Sequence, residues 1–359
     1  MRSRVDKHIN LSPKYFSTSR SEELSMVKDL EITSREVTWK VDDIPVYGTI
    51  TTPVGTSSSC GIVFVAGSGP TDRDWCSPLL PGTNGSGKLL AELLAHEGFI
   101  TLRYDKPASG PHVKENIPKL IGKISMQSHL DELSGAVETL VSDGPVREDC
   151  VFALTNSEGA IHALNYQLQT KSRRLKGLVL TGAPGRAIGA VGRSQILAQV
   201  KALPNGEDIM KHYDEEIVAF VAGKPNVPDA SLPEGIRMLL LSLASPANLP
   251  FARELWTYDP TVAISKVKEA ILVVIGKKDI QVDWQTDGSA LEEATAKKTN
   301  ITYTYPENAN HVLKHEETPK EQLTAQTALR YNAMDTKLDQ QTVDSIVKWL
   351  KNQTKQGIL

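Results

Sequence analysis

Three residues of this 359-residue chain have the types and the order along the chain that nucleophilic acyl transfer needs. Ser157 lies between an apolar run and a helical pattern, Asp279 follows a later apolar run, and His311 follows the last one. A serine hydroxyl becomes a good nucleophile when a histidine accepts its proton and an acidic residue orients that histidine. The order serine, aspartate, histidine is one that such triads use. We therefore interpret Ser157 as a candidate nucleophile, Asp279 as the acid and His311 as the base.

The residues around Ser157 form a pattern close to G-x-S-x-G, in which Thr155 takes the place of the first glycine and Gly159 is the second. This pattern is typical of a sharp strand-to-helix turn that exposes the serine. The helix that follows such a turn offers backbone N–H groups and a partial positive charge to an oxyanion. A serine that only caps a helix produces a similar pattern, so the interpretation depends on all three candidate positions together.

A glycine-rich run at 67–70 (Gly-Ser-Gly-Pro) follows an early apolar segment and predicts a loop that supplies a second oxyanion donor. The candidate oxyanion-hole residues are Ser68, with Gly69 next to it, and Glu158 directly after the candidate nucleophile. A tight turn that requires glycine would explain the run equally well. The charged residues 72–74 (Asp-Arg-Asp) either brace this loop through ion pairs or contact a polar substrate.

The elements that must position these residues are strands and helices in alternation. Six apolar runs predict strands, at 60–66, 99–104, 150–155, 175–182, 270–276 and 301–306. Helical patterns occupy 87–98, 126–143, 158–169, 290–298 and 339–353, and a hairpin with its turn at Asp42-Asp43 precedes them all. Near-continuous apolar runs suit parallel strands buried on both faces, so we predict an α/β chain with a mostly parallel, doubly wound sheet. Sites in such sheets form at the carboxyl ends of the strands, where the candidates lie.

Two segments interrupt this alternation. Residues 1–34 are polar and predict an N-terminal extension with room for one short helix. Residues 185–265 contain helical patterns at 194–203, 207–223 and 233–245 but no convincing strand, which predicts a helical cap over the strand ends. The core would then consist of residues 35–184 and 266–359.

Composition excludes several classes of function. The formal net charge of −3 and an aromatic content of 6% do not favour a nucleic-acid partner. No run approaches the roughly 18 apolar residues of a membrane span, and the basic N-terminus lacks the apolar stretch of a secretory signal, so a cytoplasmic location is expected. The spacing of Cys60, Cys76 and Cys150 does not favour a zinc site or a disulfide framework, and it predicts buried free thiols in a reducing compartment.

Five segments of the chain resemble the serial motifs of bacterial carboxylesterases of the α/β-hydrolase superfamily that are related to dienelactone hydrolases. The segments are VAGSGPTDRD, LRYDKPASG, TNSEGA, GKKDIQV and NANH, and the family forms are HGSGPxDRD, RYDKRGxG, GHSEGG, GxxDxQV and NH. The resemblance covers residues 35–355 and implies an α/β-hydrolase fold with a helical cap insertion. It also implies cleavage of small to medium carboxylic esters without a metal or organic cofactor. The chain departs from these forms at Ala66, Pro107, Thr155 and Ala160.

Alternatives remain open beside this interpretation. The same triad serves thioesterases, acyltransferases and hydrolases of amide or C–C bonds, and a catalytically silent member of the fold would act as a binding protein. His315 and Asp283 are alternative base and acid. The run 82–89 nearly matches a phosphate-binding loop, but Leu89 stands where a magnesium ligand is required, so we predict an ordinary loop. The sequence leaves the oligomeric state open.

Overall fold

An eight-stranded sheet runs through the centre of the computed structural model, which describes residues 30–225 and 227–355. The strands are β1 (Ile32–Val41), β2 (Ile44–Pro53), β3 (Ser59–Val65), β4 (Ile100–Tyr104), β5 (Val146–Asn156), β6 (Gly177–Thr181), β7 (Ala270–Val274) and β8 (Ile301–Thr304). Their spatial order is β1-β2-β4-β3-β5-β6-β7-β8. Strand β2 is antiparallel to both neighbours and all later pairs are parallel. Most of the predicted N-terminal extension lies outside the described residues.

Helices cover both faces of the sheet. They are α1 (Ser86–His96), α2 (Val113–Leu120), α3 (Met126–Asp143), α4 (Gly159–Gln169), α5 (Ile188–Val200), α6 (Gly206–Val221), α7 (Glu234–Leu243), α8 (Phe251–Thr257), α9 (Pro260–Lys266), α10 (Ser289–Ala294) and α11 (Gln340–Lys355). Helices α3, α4, α9 and α10 share one apolar cluster with the sheet, and α1 and α11 share another. Alternate residues of β3 and β5 enter the two clusters, which is how a strand buried on both faces packs. The predicted doubly wound sheet is confirmed.

Helices α5 to α9 connect β6 to β7, and this stretch contains no strand among its described residues. Helices α5, α6 and α7 correspond to the three predicted helical patterns and bury a small apolar cluster of their own, which includes Tyr213 and Leu240. Helix α9 instead contributes Ala263 and Ile264 to the main core. No helix in the described part of the chain has both the length and the apolar character required to cross a bilayer.

The first residues of this helical connection are anchored to the core by a buried carboxylate. Asp287 is fully buried and accepts two hydrogen bonds from the Arg186 guanidinium, at 2.9 Å each. It also accepts backbone N–H groups of Gly185 and Asp283, both at 3.1 Å. Four donors therefore compensate the buried charge of one side chain, as a buried ion requires.

The prediction of free thiols at Cys60 and Cys150 is wrong, because the two residues form a disulfide. Cys60 lies in β3 and Cys150 in β5, which pair side by side, so their Cα atoms are 4.8 Å apart although 90 positions separate them in the chain. Only Cys76 is free and buried among the described cysteines. Disulfides persist chiefly in oxidising compartments, so this bond does not favour the cytoplasmic location, which stays a prediction.

We predict that Asp287→Ala lowers the free energy of unfolding by about 3 kcal/mol, because it leaves Arg186 and two backbone donors without their partner. Urea unfolding followed by circular dichroism measures this. The matched control is Asp214→Ala, which breaks a bidentate pair with Arg193 whose side chains are 40% and 48% exposed. That variant should lose less than about 1 kcal/mol. Equal losses in the two variants would contradict the anchoring role of Asp287.

Candidate active site

Ser157 occupies a strained turn between β5 and α4. Its φ is 55°, a conformation that costs an L-residue other than glycine about 1–2 kcal/mol. The Ser157 N–H donates to the Thr181 carbonyl of β6 at 2.8 Å, which ties the turn to the neighbouring strand. Ser157 lines a cavity of about 330 Å³ at the carboxyl end of the sheet. The turn therefore holds the serine where a substrate can reach it.

The local sequence explains how this turn is tolerated. A Cβ atom at Gly159 would lie 2.4 Å from the Val65 carbonyl oxygen, so close approach of β3 requires glycine there. Thr155, which replaces the glycine of the usual pattern, is still part of β5 and is fully buried. Its hydroxyl donates to the Val179 carbonyl at 3.2 Å. The threonine is therefore accommodated within the sheet and does not obstruct the turn.

His311 and Asp279 form a hydrogen-bonded pair beside this turn. Nδ1 of His311 lies 2.8 Å from Oδ2 of Asp279, and the carboxylate is 1% exposed. The other carboxylate oxygen accepts the backbone N–H groups of Gln281 at 2.7 Å and Val282 at 2.9 Å. These donors fix the carboxylate, and His311 lines the same cavity as Ser157. The structure thus brings the three candidate residues of the triad to one place.

Two contacts hold the His311 loop against the Ser157 turn. The Asn156 side-chain amide donates to the His311 carbonyl at 3.0 Å. Gly182, at a φ of 53°, lies beside the imidazole, and a Cβ atom there would be 3.3 Å from His311 Cε1. The ends of β5, β6 and β8 are therefore joined around the imidazole ring.

The glycine-rich loop after β3 forms another wall of this cavity, to which Ser68 and Gly69 contribute. A Cβ atom at Gly67 would lie 3.3 Å from the Cβ atom of Ser157, so the loop backbone contacts the candidate nucleophile. Among the described residues, the backbone N–H groups of Ser68 and Glu158 donate to no protein acceptor. Unpaired N–H groups beside a nucleophile are what an oxyanion hole requires.

Ion pairs of Arg73 and Asp74, at the end of this loop, connect it to neighbouring strands and to Asp105. Arg73 pairs with Asp105 at 2.7 Å and with Glu36 at 2.5 Å, and Asp74 pairs with Arg103. Burial and the nearby charge of Arg73 lower the pKa of Arg103 to about 10. Residues 72–74 do not line the cavity, so their contacts match the bracing alternative rather than a substrate contact.

A second cavity, of about 470 Å³, lies on the other side of the Ser68–Pro70 wall. Side chains of α7 and α8 cover it, with Phe251 and Trp256 among them. Four ionisable side chains line it, and sequence reasoning singled out none of them apart from Glu158: Lys106, His129, Glu132 and Glu158.

Two buried histidine–carboxylate pairs adjoin this second cavity. His129 Nδ1 lies 3.0 Å from Glu132, and His162 Nε2 lies 3.1 Å from Glu158. Burial lowers the pKa of His162, so the ring stays neutral near pH 7. Although burial raises the pKa of Glu158, the hydrogen bond from His162 and the charge of Lys106 outweigh it and hold that pKa below its usual value. The i,i+4 spacing of Glu158, the N-cap of α4, and His162 was the available sequence signal for this pair.

The alternative site residues lie elsewhere. His315 is 3.3 Å from Asp339, and Asp283 is paired with Lys320 at 2.7 Å, so neither faces the Ser157 cavity. The glycine-rich run at 82–89 forms a loop and the start of α1, and its Asn84 side chain donates to backbone carbonyls of the 333–336 turn. Among the lining residues of the first cavity that sequence reasoning missed are Ala328, Tyr331 and Asn332, which lie in and directly after a short 3-10 helix, Ala325–Arg330.

Comparisons with known proteins identify the fold. No family model and no curated protein matches the chain. An esterase from Pyrococcus furiosus matches with a TM-score of 0.52 and 15% identity over 95% of this chain and 96% of that chain. Est1E from Butyrivibrio proteoclasticus, solved with ferulic acid bound, matches at 0.53 and 13% over 89% and 99%. An acylaminoacyl peptidase from Pyrococcus horikoshii matches at 0.53 and 12% over 93% of this chain and 44% of that chain. The chain has the α/β-hydrolase fold.

We predict that Ser157→Gly is more stable than Ser157→Ala by about 1 kcal/mol, because glycine adopts a φ of 55° without the steric cost of a Cβ atom. Chemical denaturation measures the difference. The control is the same pair of substitutions at Ser134 inside α3, where glycine should be the less stable by about 1 kcal/mol. If alanine is also the more stable residue at position 157, the strained turn is contradicted.

Proposed function

We propose that this protein is a serine hydrolase that cleaves carboxylic esters through an acyl-enzyme intermediate. The observation that carries the proposal is the 2.8 Å hydrogen bond between His311 and the buried Asp279, in a loop that lines the cavity of Ser157. A buried carboxylate that accepts the Nδ1–H of a histidine leaves Nε2 free to take a proton. A serine at a strained turn in the same cavity is the group that would supply this proton.

The reaction would proceed in two steps. His311 accepts the hydroxyl proton of Ser157 as the Oγ atom attacks the ester carbonyl carbon, and Asp279 stabilises the imidazolium. The backbone N–H groups of Ser68 and Glu158 bind the oxyanion of the tetrahedral intermediate, each worth about 3 kcal/mol. His311 then protonates the departing alcohol. In the second step His311 deprotonates a water molecule, which attacks the acyl-enzyme carbonyl. His311 then returns this proton to the Oγ atom of Ser157 as the carboxylic acid leaves.

The two cavities support a small to medium ester as the substrate. The first cavity, of about 330 Å³, contains Ser157 and His311 and would hold the carbonyl group of an ester. The second, of about 470 Å³, shares the lining residues Ser68, Gly69 and Pro70 with it and would hold a longer acyl chain. The apolar covering of the second cavity by α7 and α8 suits an acyl chain or an aromatic ring. Several structural neighbours are described as esterases, which agrees with this substrate class. The net charge of −3 supports a small-molecule partner over a nucleic acid.

Amide hydrolysis is the second candidate, because structural neighbours include an acylaminoacyl peptidase and a proline iminopeptidase. The same triad would also serve thioester hydrolysis or acyl transfer. Transfer to an added alcohol in preference to water would identify an acyltransferase. A folded protein that turns over none of these substrates would be a silent binding member of the fold.

We predict that the wild type hydrolyses p-nitrophenyl esters and that Ser157→Ala and His311→Ala lower kcat at least about 10³-fold without loss of fold, because each removes a member of the triad. An ester series from acetate to palmitate measures the acyl length that the cavities accept. His315→Ala is the matched control, since it removes a histidine paired with Asp339 outside the cavity, and its kcat should match the wild type. Retained turnover in Ser157→Ala would refute the nucleophile.

A further inference from the structure

Lys106 is a buried cation that the mechanism above does not use. It follows β4, is 6% exposed, and lies in the LRYDKPASG segment. Its Nζ atom donates to the Gly67 carbonyl oxygen at 2.5 Å, which is its single hydrogen-bond acceptor among the described residues. A buried ammonium is costly unless its interactions compensate the lost hydration. One carbonyl acceptor replaces only part of the hydration that this ammonium loses, so its burial is unfavourable for stability.

The carbonyl that Lys106 contacts belongs to the peptide group of the proposed oxyanion donor. The Gly67 carbonyl and the Ser68 N–H belong to the same peptide group, and the only cis peptide among the described residues is Leu249–Pro250. In a planar trans peptide, the C=O and N–H bonds point in opposite directions. The cation of Lys106 therefore holds one end of a peptide whose other end is the proposed oxyanion donor, beside Ser157.

Charges around Lys106 link it to the second donor as well. Burial lowers the pKa of Lys106, while the carboxylates of Glu158 and Glu132 act in the opposite direction and favour its charged form. Glu158 also carries the other unpaired N–H group beside Ser157. Lys106 therefore interacts with both proposed oxyanion donors: with the Gly67–Ser68 peptide through a hydrogen bond, and with Glu158 through the charge of its side chain.

We propose that Lys106 is a positioning residue that fixes and polarises the Gly67–Ser68 peptide, so that the Ser68 N–H becomes an aligned and stronger oxyanion donor. A charge-assisted hydrogen bond at the carbonyl is stronger than a neutral one, and bonds in a chain polarise one another. Preorganised donors stabilise the developing charge without reorganisation during the reaction. The inference rests on the proposed function, since it assigns Lys106 a role in that same site.

The test compares Lys106→Met and Lys106→Gln with the wild type in ester hydrolysis. We expect kcat to fall about 10- to 100-fold in Lys106→Met, which is less than the loss of a whole donor, with KM changed less than about threefold. Lys106→Gln keeps a neutral donor, so its kcat should lie between those of the wild type and Lys106→Met. The affinity for a trifluoromethyl ketone, which forms a tetrahedral adduct with the serine, should fall by the same factor as kcat. The affinity for the carboxylic acid product should not change.

Lys298→Met is the matched control, because Lys298 Nζ also donates to a backbone carbonyl, that of Val267, at 2.5 Å. Lys298 lines neither cavity, so its kcat and ketone affinity should equal those of the wild type. If Lys106→Met fails to fold, Lys106→Gln decides the question. A Gln variant with the kcat of the wild type, equal weakening of ketone and product binding, or unfolding of both variants would overturn the role of Lys106. An inactive wild type would instead refute the proposed function.

Discussion

The hydrogen bond between His311 and Asp279 is the interaction on which the rest of the site depends. It sets the orientation of the imidazole, and Asp279 can make it only because two backbone N–H groups hold its other oxygen. The three residues of the proposed triad lie on separate loops after separate strands. A parallel sheet brings these loops to one edge, so the order of the strands, rather than local sequence, determines that they meet.

The carboxyl edge of the sheet contains features that are unfavourable on their own and that the surrounding structure must stabilise. Ser157 occupies an unfavourable backbone conformation, and buried ions lie directly behind the site. The packing of the sheet against α3 and α4 holds the Ser157 turn in this strained conformation. The ion pairs of Arg73 and Arg103 fix the glycine-rich loop after β3, and the second cavity borders the same loop.

The sequence predicted the features that depend on periodicity and chain order. All eight strands follow from the apolar runs and the hairpin, and α1, α3, α4, α10 and α11 follow from helical patterns. The candidate triad follows from residue types after strands. Helix α2 contains Pro118, and α8 and α9 have seven residues each, so their patterns are too short or too irregular to recognise. The prediction of free thiols was wrong because Cys60 and Cys150 meet only through the register of β3 and β5.

Buried charges were also hidden from sequence reasoning. His129 and Glu132 are charged or polar positions on a long helix, and such residues usually face solvent. They are buried here because α8 lies over this part of α3, with Phe251 against the His129 ring. Tertiary contact of this kind leaves no local pattern in the chain.

Labelling with a fluorophosphonate, followed by peptide mass spectrometry, tests most directly whether Ser157 is an activated nucleophile. The reagent phosphonylates a serine whose proton a neighbouring base removes, and it does not depend on knowing the natural ester. The account predicts one adduct per chain, located on Ser157, and a labelling rate that falls strongly in Asp279→Asn. A folded wild-type protein that remains unlabelled, or that is labelled on a different serine, would contradict it.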